Sequence, residues 1–271
     1  MPFYDTSCFR CCPPIRPAGY DHLDFVSSLK REFRENRDRM LSGKSFNKPV
    51  MGFWCWALGY LDPHLKTIGC LLHPARHEGV DLRSLTGYGA KCARELCYEA
   101  RQFEKLADET KVFWLELVRG LNSFYFSSPR ANPIFHLLRW GPAILELVRF
   151  WSERKSWSAT EAVWHLGFLL RADLEPRAWR LAVEIALEQV EDPEDMAWDE
   201  FFHAIQSSLK GISPAVFSRS GDEPYVHELD VSESLKDFVR FFFGISRMDV
   251  SPVKELGAML RQIVLDVQHK R

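Results

Sequence analysis

From Tyr20 to Leu41 the apolar residues Leu23, Val26, Leu29, Phe33 and Met40 recur at helical spacing among strongly charged neighbours. This predicts an amphipathic helix with Asp21 as its cap. The turn-forming stretch that follows, Ser42-Gly43-Lys44-Ser45-Phe46-Asn47-Lys48-Pro49, predicts a surface loop. From Val50 to Cys97 no period persists, because Gly52, Gly59, Gly69, Gly79, Gly87 and Gly89, with Pro63 and Pro74, cut the chain into short pieces. Such backbone needs support beyond local structure. Past Cys97 the pattern returns. Phe103, Leu106, Phe113, Leu117 and Leu121 form one stripe, Ala143 to Trp151 and Ala159 to Leu170 predict helices, and Pro176 is placed to open another that runs to about Val190. The last helix is predicted with Ser251 as cap, Pro252 as its first residue, and an apolar face of Val253, Leu256, Leu260, Ile263, Val264 and Val267. Ser218-Arg219-Ser220-Gly221-Asp222-Glu223-Pro224 reads as a polar connecting loop.

The fold class that follows is mainly α, with an irregular cysteine-rich N-terminal region packed on a C-terminal helical bundle. The expected division is residues 1–98 for the cysteine-cluster region and 99–271 for the helical domain.

Composition narrows the function classes. The chain has 271 residues, is 46% hydrophobic and carries a formal charge of −2, which gives no electrostatic footprint for nucleic acid. Its most apolar stretch, Pro133 to Trp151, is interrupted by His136, Arg139, Glu146 and Arg149, so no membrane span is expected. Met1-Pro2-Phe3-Tyr4-Asp5 lacks the basic and apolar regions of a secretory signal, and the expected location is the cytoplasm.

All seven cysteines, Cys8, Cys11, Cys12, Cys55, Cys70, Cys92 and Cys97, fall within the first 97 residues. An odd count in a chain long enough to bury its own core makes disulfides the weaker expectation; clustered thiols in a reducing compartment more often bind metal or do redox chemistry. Cys8 and Cys11 form a C-x-x-C pair, which lets two thiolates reach one ion from a single turn, and Cys12 adds a third sulfur. All seven are candidate metal ligands. Thiolate sites suit zinc or an iron–sulfur cluster, and spacing does not separate the two. His73, in a C-x-x-H arrangement after Cys70, and His77 are supplementary candidates, although packing for His73 and solvent exposure for His77 is the preferred assignment.

The order C-x-x-C-C, then Cys55 in Trp54-Cys55-Trp56-Ala57-Leu58, then Gly69-Cys70-Leu71-Leu72-His73-Pro74-Ala75-Arg76, then Cys92, resembles the YkgJ-like cysteine-cluster proteins. These are described as zinc- or iron-chelating, and the cysteine-rich part of flagellin lysine-N-methylases is similar. The resemblance spans roughly residues 5 to 97. It aligns Cys8, Cys11 and Cys12 with the last three cysteines of a C-x-x-C-G-x-C-C opening, with Phe9 in place of the glycine and no counterpart of the first cysteine. Cys55, Cys70 and Cys92 take the later positions, the Arg-Pro element being rearranged as Pro74-Ala75-Arg76. Cys97 is an extra ligand, a replacement for the missing first one, or neither.

Catalytic constellations are absent from the sequence. Gly43-Lys44-Ser45 is no phosphate loop, since position 38, where the upstream glycine belongs, is Asp38. Glu191-Asp192-Pro193-Glu194-Asp195 reads as a solvated turn and helix start, and Trp151, Trp157, Trp164 and Trp179 as core. The expected function is a metal-binding protein with a cysteine-ligated zinc or iron–sulfur centre. The methylase resemblance implies an alternative, a metal-dependent or cluster-supported transferase acting on a protein substrate. The other alternative is a helical interaction protein with structural thiols and no metal.

Overall fold

The computed structural model describes residues 2–3, 6–12, 18–43, 55–94, 96–213, 230–246 and 250–269. Residues 44–49 of the expected surface loop, and the whole polar stretch 218–224, lie outside them. The chain is mainly α and divides into two compact units, residues 1–104 with 115–135, and residues 105–114 with 136–271.

The first unit starts with two short paired strands, β1 (Pro2–Phe3) and β2 (Thr6–Ser7). The amphipathic stripe from Leu23 then becomes two elements. A 3-10 turn over His22–Phe25 is capped by Asp21, whose carboxylate accepts the Leu23 N–H at 2.9 Å. Phe25 leaves helical geometry, with φ −126° and ψ 17°, and α1 (Val26–Leu41) begins after it. Leu29, Phe33 and Asn36 face inward from α1.

A two-stranded antiparallel hairpin follows, β3 (Leu58–Tyr60) and β4 (Ile68–Cys70), in the register Leu58 to Cys70 and Tyr60 to Ile68. It packs so closely on α1 that a Cβ on Gly59 would stand 3.1 Å from the Phe33 carbonyl and 2.8 Å from Leu71 Cδ1. Phe9, Leu29, Phe33, Leu58, Ile68 and Phe124 are among the residues that form the core here. Phe9 meets Phe33 edge-on at 5.6 Å, and Phe33 stacks on Phe124 at 5.9 Å. Each such side chain contributes roughly 1.5–3 kcal/mol by leaving water. Two short helices, α2 (Gly89–Arg94) and α3 (Tyr98–Lys105), lie further along the chain.

The stripe expected to run from Phe103 to Leu121 is broken. The chain leaves α3 at Lys105, starts α4 (Asp108–Leu115) afresh, and tightens to a 3-10 turn over Glu116–Val118. The break has a partner, because the Ala107 N–H donates to Glu146 Oε1 at 2.9 Å and the Thr110 hydroxyl bonds the same carboxylate. The first unit is completed by α5 (Ser123–Ser127) and the start of α6 (Ile134–Trp140).

In the second unit α7 (Pro142–Lys155), α8 (Ala159–His165), α9 (Pro176–Gln189), α10 (Trp198–Leu209), α11 (Glu233–Phe242) and α12 (Val250–His269) follow in order. Helix α9 is central and packs against α7, α11 and α12. Pro142 and Pro176 open their helices, where a missing N–H costs nothing. Ser158 and Glu161 form a reciprocal capping box on α8.

Three local expectations are corrected. Ser251 is already helical, since α12 begins at Val250, and so does not cap it. The acidic run at 191–195 is a turn rather than a helix start: Asp192 and Glu194 pair with Lys155, Glu194 also meets His165 at 2.6 Å, and α10 begins only at Trp198. Trp151 and Trp179 are core, but Trp157 is half-buried, stacking on His165, and Trp164 is 77% exposed. Among the described residues no helix is long and apolar enough to cross a membrane.

Candidate metal centre

Every cysteine lies among the described residues, and none is joined in a disulfide. Four of them come together from separate pieces of chain. Cys12 ends a tight turn closed by its own N–H on the Phe9 carbonyl at 2.9 Å, and Phe9 anchors that turn in the core. Cys55 is itself a core residue, and Cys12 and Cys70 pack against the same core.

The hairpin explains why Cys55 and Cys70 are neighbours. Cys70 sits opposite Leu58, the Leu71 N–H donates to the Ala57 carbonyl at 2.7 Å, and the Leu58 N–H turns back to the Cys55 carbonyl at 3.0 Å. Asn36 pins this corner to α1 by donating from Nδ2 to the Leu58 carbonyl at 2.9 Å. Cys92 belongs to α2, where its N–H donates to the Tyr88 carbonyl at 2.9 Å, and Tyr88 packs on the core that holds the other three. Arg83 adds a cationic strut. Its Nη1 donates to the Cys92 carbonyl at 3.0 Å, while Asp81 grips Nε at 2.8 Å and Nη2 at 2.7 Å.

These four thiols share one electrostatic environment. Cys12 is acted on by charge at Cys70, Cys55, Cys11 and Cys92; Cys55 by Cys70 and Cys92; Cys70 by Cys92. Each therefore feels the other three. Burial pushes the Cys12 thiol well above its ordinary range, and the neighbouring sulfurs add to the rise. Burial likewise pushes Cys55 up to about 12, against the opposing pull of the Ala57 and Leu58 N–H groups. Cys70 is raised mainly by burial too, with Arg83 pulling the other way. Thiolates so placed repel one another and are poorly solvated, so ionising them together requires a compensating cation.

Among the described residues, no group of three or more His, Cys, Asp or Glu side chains is arranged to hold a metal ion as it stands. Charges act over longer distances than the ~2.3 Å of a zinc–sulfur bond. The donor set is thus a chemical fit to a thiolate-bound metal, while its spacing is wider than coordination demands.

Of the remaining cysteines, Cys11 acts on Cys12, its neighbour in the chain. Cys8 is exposed; its sulfur bonds the Ser127 hydroxyl and feels charge at Cys11. Cys97 pairs with Cys11, whose sulfur accepts the Cys97 N–H at 3.2 Å and the Cys97 thiol as well. His73 is exposed and uses Nδ1 to accept the Ala75 N–H at 3.2 Å, so it does not pack as expected. His77 is half-buried rather than solvent-facing, with Nε2 donating to the Leu71 carbonyl at 2.8 Å.

Several residues that build the site escaped sequence reasoning. Ser7, Ser123 and Ser127 fasten the N-terminal strand, and Asn36 and Arg83 brace two of the cysteine segments. Asn36 did leave a trace, as a polar residue in helical register with Leu29 and Phe33 on the apolar face of α1. No family model matches the chain, and no curated protein and no solved structure matches it either.

Proposed function

We propose that the first unit is a metal-binding unit in which Cys12, Cys55, Cys70 and Cys92 hold one zinc ion or one iron–sulfur cluster, a narrower set than the YkgJ-like resemblance implies, which also includes Cys8 and Cys11. The observation that carries this is that Cys12, Cys55 and Cys70, from a turn, a pre-strand residue and a strand end, meet on one apolar core, and that Cys92, on a short helix joined to that core by Tyr88, acts electrostatically on all three. An all-sulfur donor set is the chemistry that zinc and iron–sulfur clusters select. Metal held there would supply the cation that the ionised Cys12, Cys55, Cys70 and Cys92 require. Its role is then structural, joining short segments whose own secondary structure is slight. The odd number of cysteines and their clustering suit a reducing, cytoplasmic setting.

A second possibility has its own support in the absence, among the described residues, of any donor group already arranged for an ion. There the thiols are packing groups of a helical interaction protein.

Elemental analysis with an absorption spectrum on anaerobically purified protein separates the cases. Stoichiometric zinc in colourless protein, or iron and sulfide with visible absorption, supports the metal centre. Protein lacking both, with seven thiols titratable after unfolding, overturns it in favour of the packing role.

A further inference from the structure

We infer that Cys11 and Cys97 form a second thiol site, distinct from the four-cysteine group: a dithiol that is reversibly oxidised to a disulfide by small-molecule disulfides. The pair is held together by the Cys97 N–H, which donates to the Cys11 sulfur at 3.2 Å. Both partners are fixed from behind. Cys11 belongs to the turn anchored by buried Phe9 and closed by Cys12 on the Phe9 carbonyl. Cys97 stands just before α3, and its sulfur accepts the Ala100 N–H at 3.4 Å, so the side chain caps the helix it precedes. The Arg101 N–H adds a bond to the Cys97 carbonyl at 3.2 Å.

Both residues are partly exposed, which admits a tripeptide-sized disulfide. The charged groups that act on Cys97 most strongly are Cys11 itself and Glu99, whereas Cys12 is coupled to Cys70, Cys55 and Cys92 as well as to Cys11. None of the group of four is among the groups that act most strongly on Cys97, and Cys11 is the member of the pair that adjoins that group.

The chemistry is thiol–disulfide exchange. One protein thiolate attacks a sulfur of glutathione disulfide, the S–S bond breaks, and one glutathione leaves as its thiolate. The second protein thiol, after losing its proton, attacks the resulting mixed disulfide and expels the other glutathione. Two protein thiols are oxidised to one disulfide, and one glutathione disulfide is reduced to two glutathione molecules. The site rests on the Cys11–Cys97 contact alone and does not depend on metal being bound elsewhere.

The test uses the full chain, as purified and after treatment with a chelator, equilibrated anaerobically across a series of reduced-to-oxidised glutathione ratios, then alkylated and mapped by mass spectrometry. The expected result is a Cys11–Cys97 crosslink that appears in both samples and disappears as reduced glutathione is raised. Cys97→Ser should abolish the crosslink and leave a glutathione adduct on Cys11. Failure of the wild-type chain to form this crosslink at any ratio overturns the inference. So does a crosslink that forms only after chelation, which would make Cys11 and Cys97 metal ligands. Absence of metal from the purified protein would refute the four-cysteine centre while leaving the crosslink expected.

Discussion

Ser7 and Ile68 exchange two hydrogen bonds through one hydroxyl: Ser7 Oγ accepts the Ile68 N–H at 2.7 Å and donates to the Ile68 carbonyl. Both residues are buried, so the hydroxyl replaces water for two backbone groups. Ser7→Ala leaves both without that partner and should cost about 2–4 kcal/mol in urea unfolding, on the scale of buried polar groups left unsatisfied. Because Ile68 lies two residues before Cys70, the same change should also loosen a metal held there as proposed.

Serine replacements at the cysteines should sort into two sets. Cys12→Ser, Cys55→Ser and Cys70→Ser are expected to reduce bound metal to a small fraction of wild type, whereas Cys8→Ser should retain it. Metal content per chain after gel filtration reads the difference. Equal loss in all four variants would sink the assignment of ligands.

Gly89 is a steric requirement of the segment that carries Cys92. A Cβ there would stand 2.5 Å from Ser84 Cα and 2.7 Å from Ser84 N, and these are backbone atoms that cannot rotate away. Gly89→Ala should destabilise the protein by about 1–3 kcal/mol, the usual cost of overpacking. Amide exchange over residues 83–94 should speed up with it, as α2 shifts off the 3-10 turn at Arg83–Thr86 that precedes it.

Asp62 organises the hairpin loop. Its carboxylate accepts N–H groups from His64 at 2.8 Å, Lys66 at 3.1 Å and Thr67 at 2.6 Å. Partial burial raises its pKa, but these hydrogen bonds outweigh it and hold the group below its ordinary 3.8. A lowered folded-state pKa means that the ionised form stabilises the fold. That contribution is complete above the unfolded-state value and is lost as pH falls through the folded one. The stability difference between wild type and Asp62→Asn should therefore be constant near neutral pH and shrink below about pH 4. Urea midpoints measured from pH 7 to 2 check it.

Arg180 and Asp237 form an almost dry ion pair, 3.1 Å from Nη1 to Oδ2, and Arg180 Nη2 also donates to the Arg139 carbonyl at 3.2 Å. Asp237→Ala should cost about 3–5 kcal/mol, because the guanidinium would remain buried without its counter-charge. An Arg180→Met, Asp237→Leu double variant should recover much of that loss. A thermodynamic cycle over the two positions measures the coupling.

The long helices were legible because each carries one dominant apolar stripe: Leu29 and Phe33 on α1, and Val253, Leu256, Leu260 and Val264 on α12 are all buried. Trp164 was misjudged because hydrophobicity hid its phase. Ala159, Ala162 and Leu166 are buried, and Trp164 falls on the opposite side of α8. Composition and spacing marked the cysteines as a set of candidates. How they sort could not be read, since it depends on the register that sets Cys70 beside Leu58 and on where α3 begins relative to Cys97. The meeting of Cys11 with Cys97 is a long-range fact as well, the two being 86 positions apart.

The serines of the segment 123–128 give the first unit a place in time as well as in space. Ser123 Oγ accepts the Ser7 N–H at 3.2 Å and donates to the Lys66 carbonyl at 2.7 Å; Ser127 Oγ accepts the Phe9 N–H at 2.9 Å; Ser128 Oγ donates to Asp21 at 2.7 Å. All seven cysteines are translated before any of these serines leaves the ribosome. During synthesis the nascent thiols therefore wait, incompletely enclosed, for a clasp made some thirty residues after the last of them. In that interval they are open to metal delivery and to oxidants alike, and a fragment ending near residue 98 would remain in that open condition permanently.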